Sequence, residues 1–111
     1  MWVFTEKGFV SVVKDAKEPG MLIVRARDAE SLSTISAMSG SPVVKSPLND
    51  YPYRVFVDPQ TYSLWLMETA SEIDYTNFKN HMYEVRGSEF AHSLSRVWEV
   101  MCDTEDLEAR N

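Results

Sequence analysis

Cysteine is nearly missing from this sequence: Cys102 stands alone in 111 residues, which forbids an intrachain disulfide and a thiolate-rich zinc site. Histidine is almost as scarce. His81 and His92 share no close ligand spacing of the HExxH kind, so no metal is expected. The glycines at positions 8, 20, 40 and 87 are far apart, and with neither a P-loop nor a GxGxxG pattern there is no glycine loop to cradle a phosphate. No apolar run approaches ~18 residues, and the first seven residues lack the basic start, apolar stretch and cleavage site of a signal peptide. A cytoplasmic protein with no membrane association is the expectation. Basic residues are also in deficit, eleven against seventeen acidic, for a net charge of −6. That balance repels a polyanion at long range and disfavours nucleic acid as a partner.

What is present reads as an ordinary folded protein, 44% hydrophobic and 25% charged. One α+β domain is expected over residues 1–103, followed by an acidic, frayed tail over 104–111. The run from Glu99 to Glu108 holds five acids and no base, the signature of a solvated terminus. Catalytic chemistry finds little footing. Cys102 with either histidine is the minimum for a thiol nucleophile and its base, yet nothing local joins them. Asp103 and Glu105 lie in the hydrated tail and not in the apolar setting that acid–base work by a carboxyl pair needs. No catalytic residue and no cofactor is assigned.

Along the chain, β-branched and aromatic residues predict strands over 9–14 and 21–27, joined by a loop with Pro19-Gly20 as its turn. Alternation puts Leu22, Val24 and Ala26 on one face of the second strand and Ile23, Arg25 and Arg27 on the other. Asp28 is placed to cap a helix over 29–38 buried through Leu32, Ile35 and Met38. Residues 43–45 and 51–57 supply two more strands, with Pro52 at the start of the last because it cannot donate to a ladder. Asp58-Pro59 is the clearest local signal, an N-cap carboxylate followed by proline at the first helical position. The stretch 72–79 interrupts the helices, and Asp74 is read as the cap of a second piece over 74–83, with Tyr75 and Phe78 against the preceding helix. Arg86-Gly87 ends it. A last helix opening at Ser88 carries Phe90, Leu94, Val97, Trp98 and Met101 on one apolar face, expected to dock on the body of the domain. Two ββα units in succession, ββαββαα, predict a four-stranded antiparallel sheet with helices on one face, in a permuted ferredoxin-like order that makes the second and fourth strands neighbours.

Two features stand above this background. Arg25, Arg27 and Arg54, with Phe56, would share the uncovered sheet face, where guanidinium forks bind phosphate or carboxylate and a ring can stack. The competing view is a solvated face whose arginines pair with acids. The second feature is an aromatic surplus, 12% with three tryptophans. Trp, Tyr and Arg are enriched at interface hot spots, so Tyr75, Phe78 and Trp65 are candidate interaction residues, with core packing the competing role for Trp65 and Trp98.

The chain also resembles a group of short bacterial proteins of uncharacterised function. The resemblance rests on the start Trp2 to Phe9 with Ser11-Val12-Val13, on Val24-Arg25-Ala26-Arg27-Asp28, on Asp50-Tyr51-Pro52-Tyr53-Arg54, on Glu72 to Lys79, and on Val97-Trp98. It implies a shared fold and carries over no activity, cofactor or catalytic residue. Function is therefore read from the residues alone. The leading reading is a small non-catalytic protein-interaction or regulatory domain with an unknown protein partner and a capacity to form homodimers. The alternative is an anion or nucleotide binder using the arginine face, with or without an enzymatic step. A third is a nucleic-acid mimic exploiting the acidic surface.

Overall fold

The structure, a computed structural model, describes residues 1–106. It is an α+β protein that divides into two compact units, Met1–Asp74 and Tyr75–Asn111. The sequence reading takes residues 1–103 as one α+β domain. The acidic-tail expectation for 107–111 lies outside the described residues; before them, Cys102–Thr104 form a single 3-10 turn.

The first unit is built on an antiparallel sheet of β1 (Trp2–Thr5), β2 (Gly8–Lys14), β3 (Leu22–Ala26), β4 (Val44–Lys45) and β5 (Tyr53–Val57), arranged β1-β2-β3-β5-β4. Five strands replace the four expected, and three of them precede the first helix, so the ββαββαα order is not reproduced. The extra strand is the N-terminal segment, which folds back on β2 through the two-residue turn Glu6-Lys7. Neither turn residue takes a positive φ; Gly8 does, at 142°. A turn without φ > 0 would splay a hairpin, and the glycine absorbs the mismatch in a conformation that a side chain would forbid. The expected adjacency of the second and fourth predicted strands holds, because β3 pairs with β5.

A 3-10 turn at Glu30–Leu32 runs into α1 (Ser33–Ser39), so the first helix is shorter and tighter at its start than the predicted 29–38. Asp28 still serves its start, accepting the Ser31 N–H at 2.8 Å. The helix α2 (Pro59–Ser71) begins as expected: the Asp58 carboxylate accepts the Thr61 N–H at 2.9 Å and the Thr61 hydroxyl at 2.8 Å, with Pro59 in the first turn. Leu32, Ile35, Tyr62 and Trp65 from this helical layer pack on Val10, Val12, Val24, Ala26, Val55 and Val57 from one sheet face. Alternation along each strand thus leaves the opposite face outside this core.

The second unit is a helical hairpin of α3 (Phe78–Val85) and α4 (Ser88–Met101). Asp74 does not cap α3. Asn77 does, its side chain accepting the Asn80 N–H at 3.0 Å, while residues before it turn the chain. Both residue types suit a cap; the one three residues ahead of a first-turn N–H wins. Tyr75 folds onto the helix it precedes, 5.5 Å from Phe78 and 4.7 Å from His81 between ring centroids. Met82, Ala91 and Leu94 are buried together with Phe78 and Phe90 packed beside them. The stripe expected on α4 is buried only in its first half: Val97, Trp98 and Met101 are exposed. No helix among the described residues is long and apolar enough to cross a membrane.

Candidate functional site on the open sheet face

Strand registers assemble the site. Trp2 lies opposite Ser11, Ser11 opposite Arg25, Arg25 opposite Arg54, and Arg54 opposite Val44. Directly paired residues point to the same side of a sheet, so these five form one row across all five strands, on the face away from the helical core. Phe4 and Phe9 form the neighbouring row on one side; Val13, Ile23 and Phe56 form the row on the other. Three of the four predicted anion-site residues, Arg25, Arg54 and Phe56, are therefore brought together by pairing alone. Arg27 follows Arg25 by two positions and joins them through Tyr51.

Tyr51, which precedes β5, is the centre that sequence reasoning missed. Its ring carries the Arg25 guanidinium carbon 4.7 Å from its centroid and that of Arg27 at 4.5 Å, with Phe9 at 6.3 Å. Only 6% of the residue is exposed, yet it belongs to the open-face cluster and not to the helix-covered core. Two guanidinium groups over one ring give a cation–π arrangement, strengthened by the exclusion of water from a buried ring. The signal that could have found Tyr51 is its place in the turn just ahead of a strand that carries an arginine. Phe9 extends the cluster to the sheet edge, stacking on Phe4 at 4.6 Å and meeting Trp2 edge-on at 5.8 Å.

The three arginines are tied down differently. Arg25 donates from Nη2 to the buried Ser11 hydroxyl at 2.7 Å and from Nε to the Ser11 carbonyl at 3.4 Å. Arg27 pairs with Asp50, to the carboxylate at 3.2 Å and the carbonyl at 2.8 Å. Arg54 donates through Nε to the Tyr51 carbonyl at 3.4 Å, leaving its two terminal nitrogens beyond that bond. Among the described residues, Arg27 alone of the three has a carboxylate partner. The solvated, acid-paired view therefore fits Arg27 and does not fit Arg25 or Arg54. Phe56, on the same face, is 37% exposed.

The predicted interaction residues fall elsewhere. Trp65 is 1% exposed, in the core, with its indole N–H donated to the Thr34 hydroxyl at 2.9 Å, so it takes the packing role. Tyr75 and Phe78 are half-buried in the second unit, around the start of α3. The exposed tryptophans are Trp2, at 70%, and Trp98, at 62%, whose ring lies 4.6 Å from the Lys79 ammonium. On the helical side of the first unit, a cleft of about 390 Å³ is lined by Lys7, Thr34, Met38, Trp65, Glu68 and Glu72, among others. Among the described residues no group of three or more His, Cys, Asp or Glu is placed to hold a metal. Cys102 is half-buried, and its thiol donates to the Trp98 carbonyl at 3.5 Å.

The first unit is an α+β fold whose sheet has one face outside its own helical core and rich in arginine and aromatic rings. Comparison with protein-family models, curated proteins and solved structures finds no match for the chain.

Proposed function

We propose that the protein is a non-catalytic interaction module that grips an anionic group of its partner, a carboxylate or a phosphate, on the open sheet face. The observation that carries this reading is the Arg25–Arg54 cross-strand pair. Two like charges placed directly opposite on a sheet repel, and neither arginine has a carboxylate partner among the described residues. An anion seated between the forks relieves that repulsion and supplies charge-assisted, bidentate hydrogen bonds. Ser11 and Tyr51 hold Arg25, and the Tyr51 carbonyl holds Arg54, so less side-chain entropy is lost on binding than for free surface arginines. The ring of Trp2 at the end of the row and those of Phe4 and Phe56 in the rows beside it supply apolar contact of the kind that marks hot spots.

A second reading, a free small anion such as a nucleotide, is favoured by one observation. Phe56 offers a partly exposed ring on the same face as Arg54, one row away, suited to stacking on a planar base. Both readings share the anion site and differ in what is attached to it.

Thermal melting in phosphate and in chloride at matched ionic strength tests the site. Anything that binds the folded state alone raises the melting temperature with its concentration. Phosphate should raise that of the wild type more than chloride does, and Arg54→Ala should lose most of the difference. Equal behaviour of the two proteins would reduce the effect to general screening and remove the site. Adding a nucleoside monophosphate then separates the readings: a larger shift than phosphate at equal concentration, lost in Phe56→Ala, belongs to the nucleotide reading alone.

A further inference from the structure

The two edges of the sheet differ in a way that bears on assembly, independently of the anion site. At one edge, β4 is two residues long, carries Lys45, and is flanked by Pro42 and Pro47. Short length, lysine and proline are the devices by which proteins blunt a sheet edge. The other edge is β1, Trp-Val-Phe-Thr, with an unbroken register against β2 and no charge or proline.

The hydrogen-bond phase of β1 is fixed by the residue just before it. Met1 and Val12 exchange both backbone bonds, at 2.9 and 2.8 Å. Pairs in an antiparallel ladder alternate between bonded and non-bonded, so Val3 bonds to Val10 while Trp2 and Phe4 do not bond to Ser11 and Phe9. The N–H and C=O groups of Trp2 and Phe4 therefore point outward along the open edge. Their side chains lie on the open face, and both are exposed. This is a bonding template with apolar side chains and no guard.

We propose that β1 pairs antiparallel with β1 of a second copy, joining two sheets into one. The strand is self-complementary for this. With a two-fold axis through Val3, Trp2 meets the partner's Phe4 and Phe4 meets the partner's Trp2, both as bonded pairs that exchange two backbone bonds each. Val3 meets the partner's Val3 at the non-bonded position on the core side. The open-face rings of the two copies then run on from one sheet to the next, adding aromatic cross-strand contacts. The strand itself carries no charge, so no like charges are brought together along it. A second copy fits this edge for that reason: every pairing needed by the symmetric register is present in one four-residue strand.

Sedimentation of untagged protein from micromolar to millimolar concentration should show the mass of two chains, falling to one on dilution. Phe4→Pro removes only an outward N–H and leaves the β1–β2 ladder its bonds, so it should be folded by circular dichroism and monomeric. Arg54→Ala should dimerise like the wild type, which separates this test from that of the anion site. A wild type that stays monomeric throughout, or a folded Phe4→Pro that still dimerises, overturns the proposal. Should Phe4→Pro not fold, amide exchange in the wild type decides: protection at Phe4 that grows with protein concentration supports the pairing, and fast exchange at every concentration refutes it.

Discussion

Arg25 and Arg54 face each other across β3 and β5, and that placement makes a stability prediction of its own. Without a bound anion, Arg54→Ala should be neutral or slightly stabilising, by up to about 0.5 kcal/mol at low salt, because it removes a like-charge cross-strand pair. Chemical denaturation at low and moderate salt checks it; a loss above ~1 kcal/mol would mean that Arg54 is a structural residue. Trp65 is the opposite case. Replacing it with Phe leaves a cavity and breaks the hydrogen bond to the half-buried Thr34 hydroxyl, so a cost of about 2–3 kcal/mol is expected in urea unfolding. Asp58 adds a pH dependence. The Thr61 N–H, and then the Thr61 hydroxyl, hold its carboxyl below the usual 3.8, so its stabilising effect is present above that value and is lost as pH falls through the lower folded-state value. Asp58→Ala should thus lower the melting temperature at neutral pH, and the gap from wild type should close in acid. A gap that persists at low pH would mean that the charged cap is not its cause.

Among the elements, those announced by local chemistry were legible in the sequence. Asp58-Pro59 starts α2 because cap and proline satisfy the same first-turn requirement, and alternation in residues 21–27 set which side of β3 carries arginine. Elements decided by tertiary pairing were not legible. Trp2 to Thr5 is a strand only because β2 lies beside it, and four residues give no periodicity of their own. The α3 start hung on a choice between Asp74 and Asn77, which local propensity cannot make since both are good caps. Substitution can: Asn77→Ala should cost the second unit about 1 kcal/mol, and Asp74→Ala much less, read from helical circular dichroism during denaturation. The reverse order would restore Asp74 as the cap. On the site, alternation and strand adjacency were enough to gather Arg25, Arg54 and Phe56. Tyr51 was hidden because its position depends on how the turn before β5 folds back over β3.

For the molecule as a whole, charge and site run opposite ways. A chain of net charge −6 keeps polyanions away at a distance, while under the proposed function the arginine face would offer a local site to a compact anion, whose attraction acts within a Debye length of ~8 Å at physiological salt. On that proposal the surface would discriminate by reach: an anionic group on a neutral or mixed-charge partner would approach, and a long polyphosphate chain would be repelled by the rest of the body. The central claim is that this face, and no other part of the chain, holds the anion. An NMR titration of uniformly labelled protein with inorganic phosphate, at constant ionic strength, tests it most directly. Saturable shifts confined to Ser11, Arg25, Tyr51 and Arg54, including the arginine Nε–H signals, are the predicted result. Shifts that fail to saturate, or that centre on residues outside the open sheet face, would contradict it.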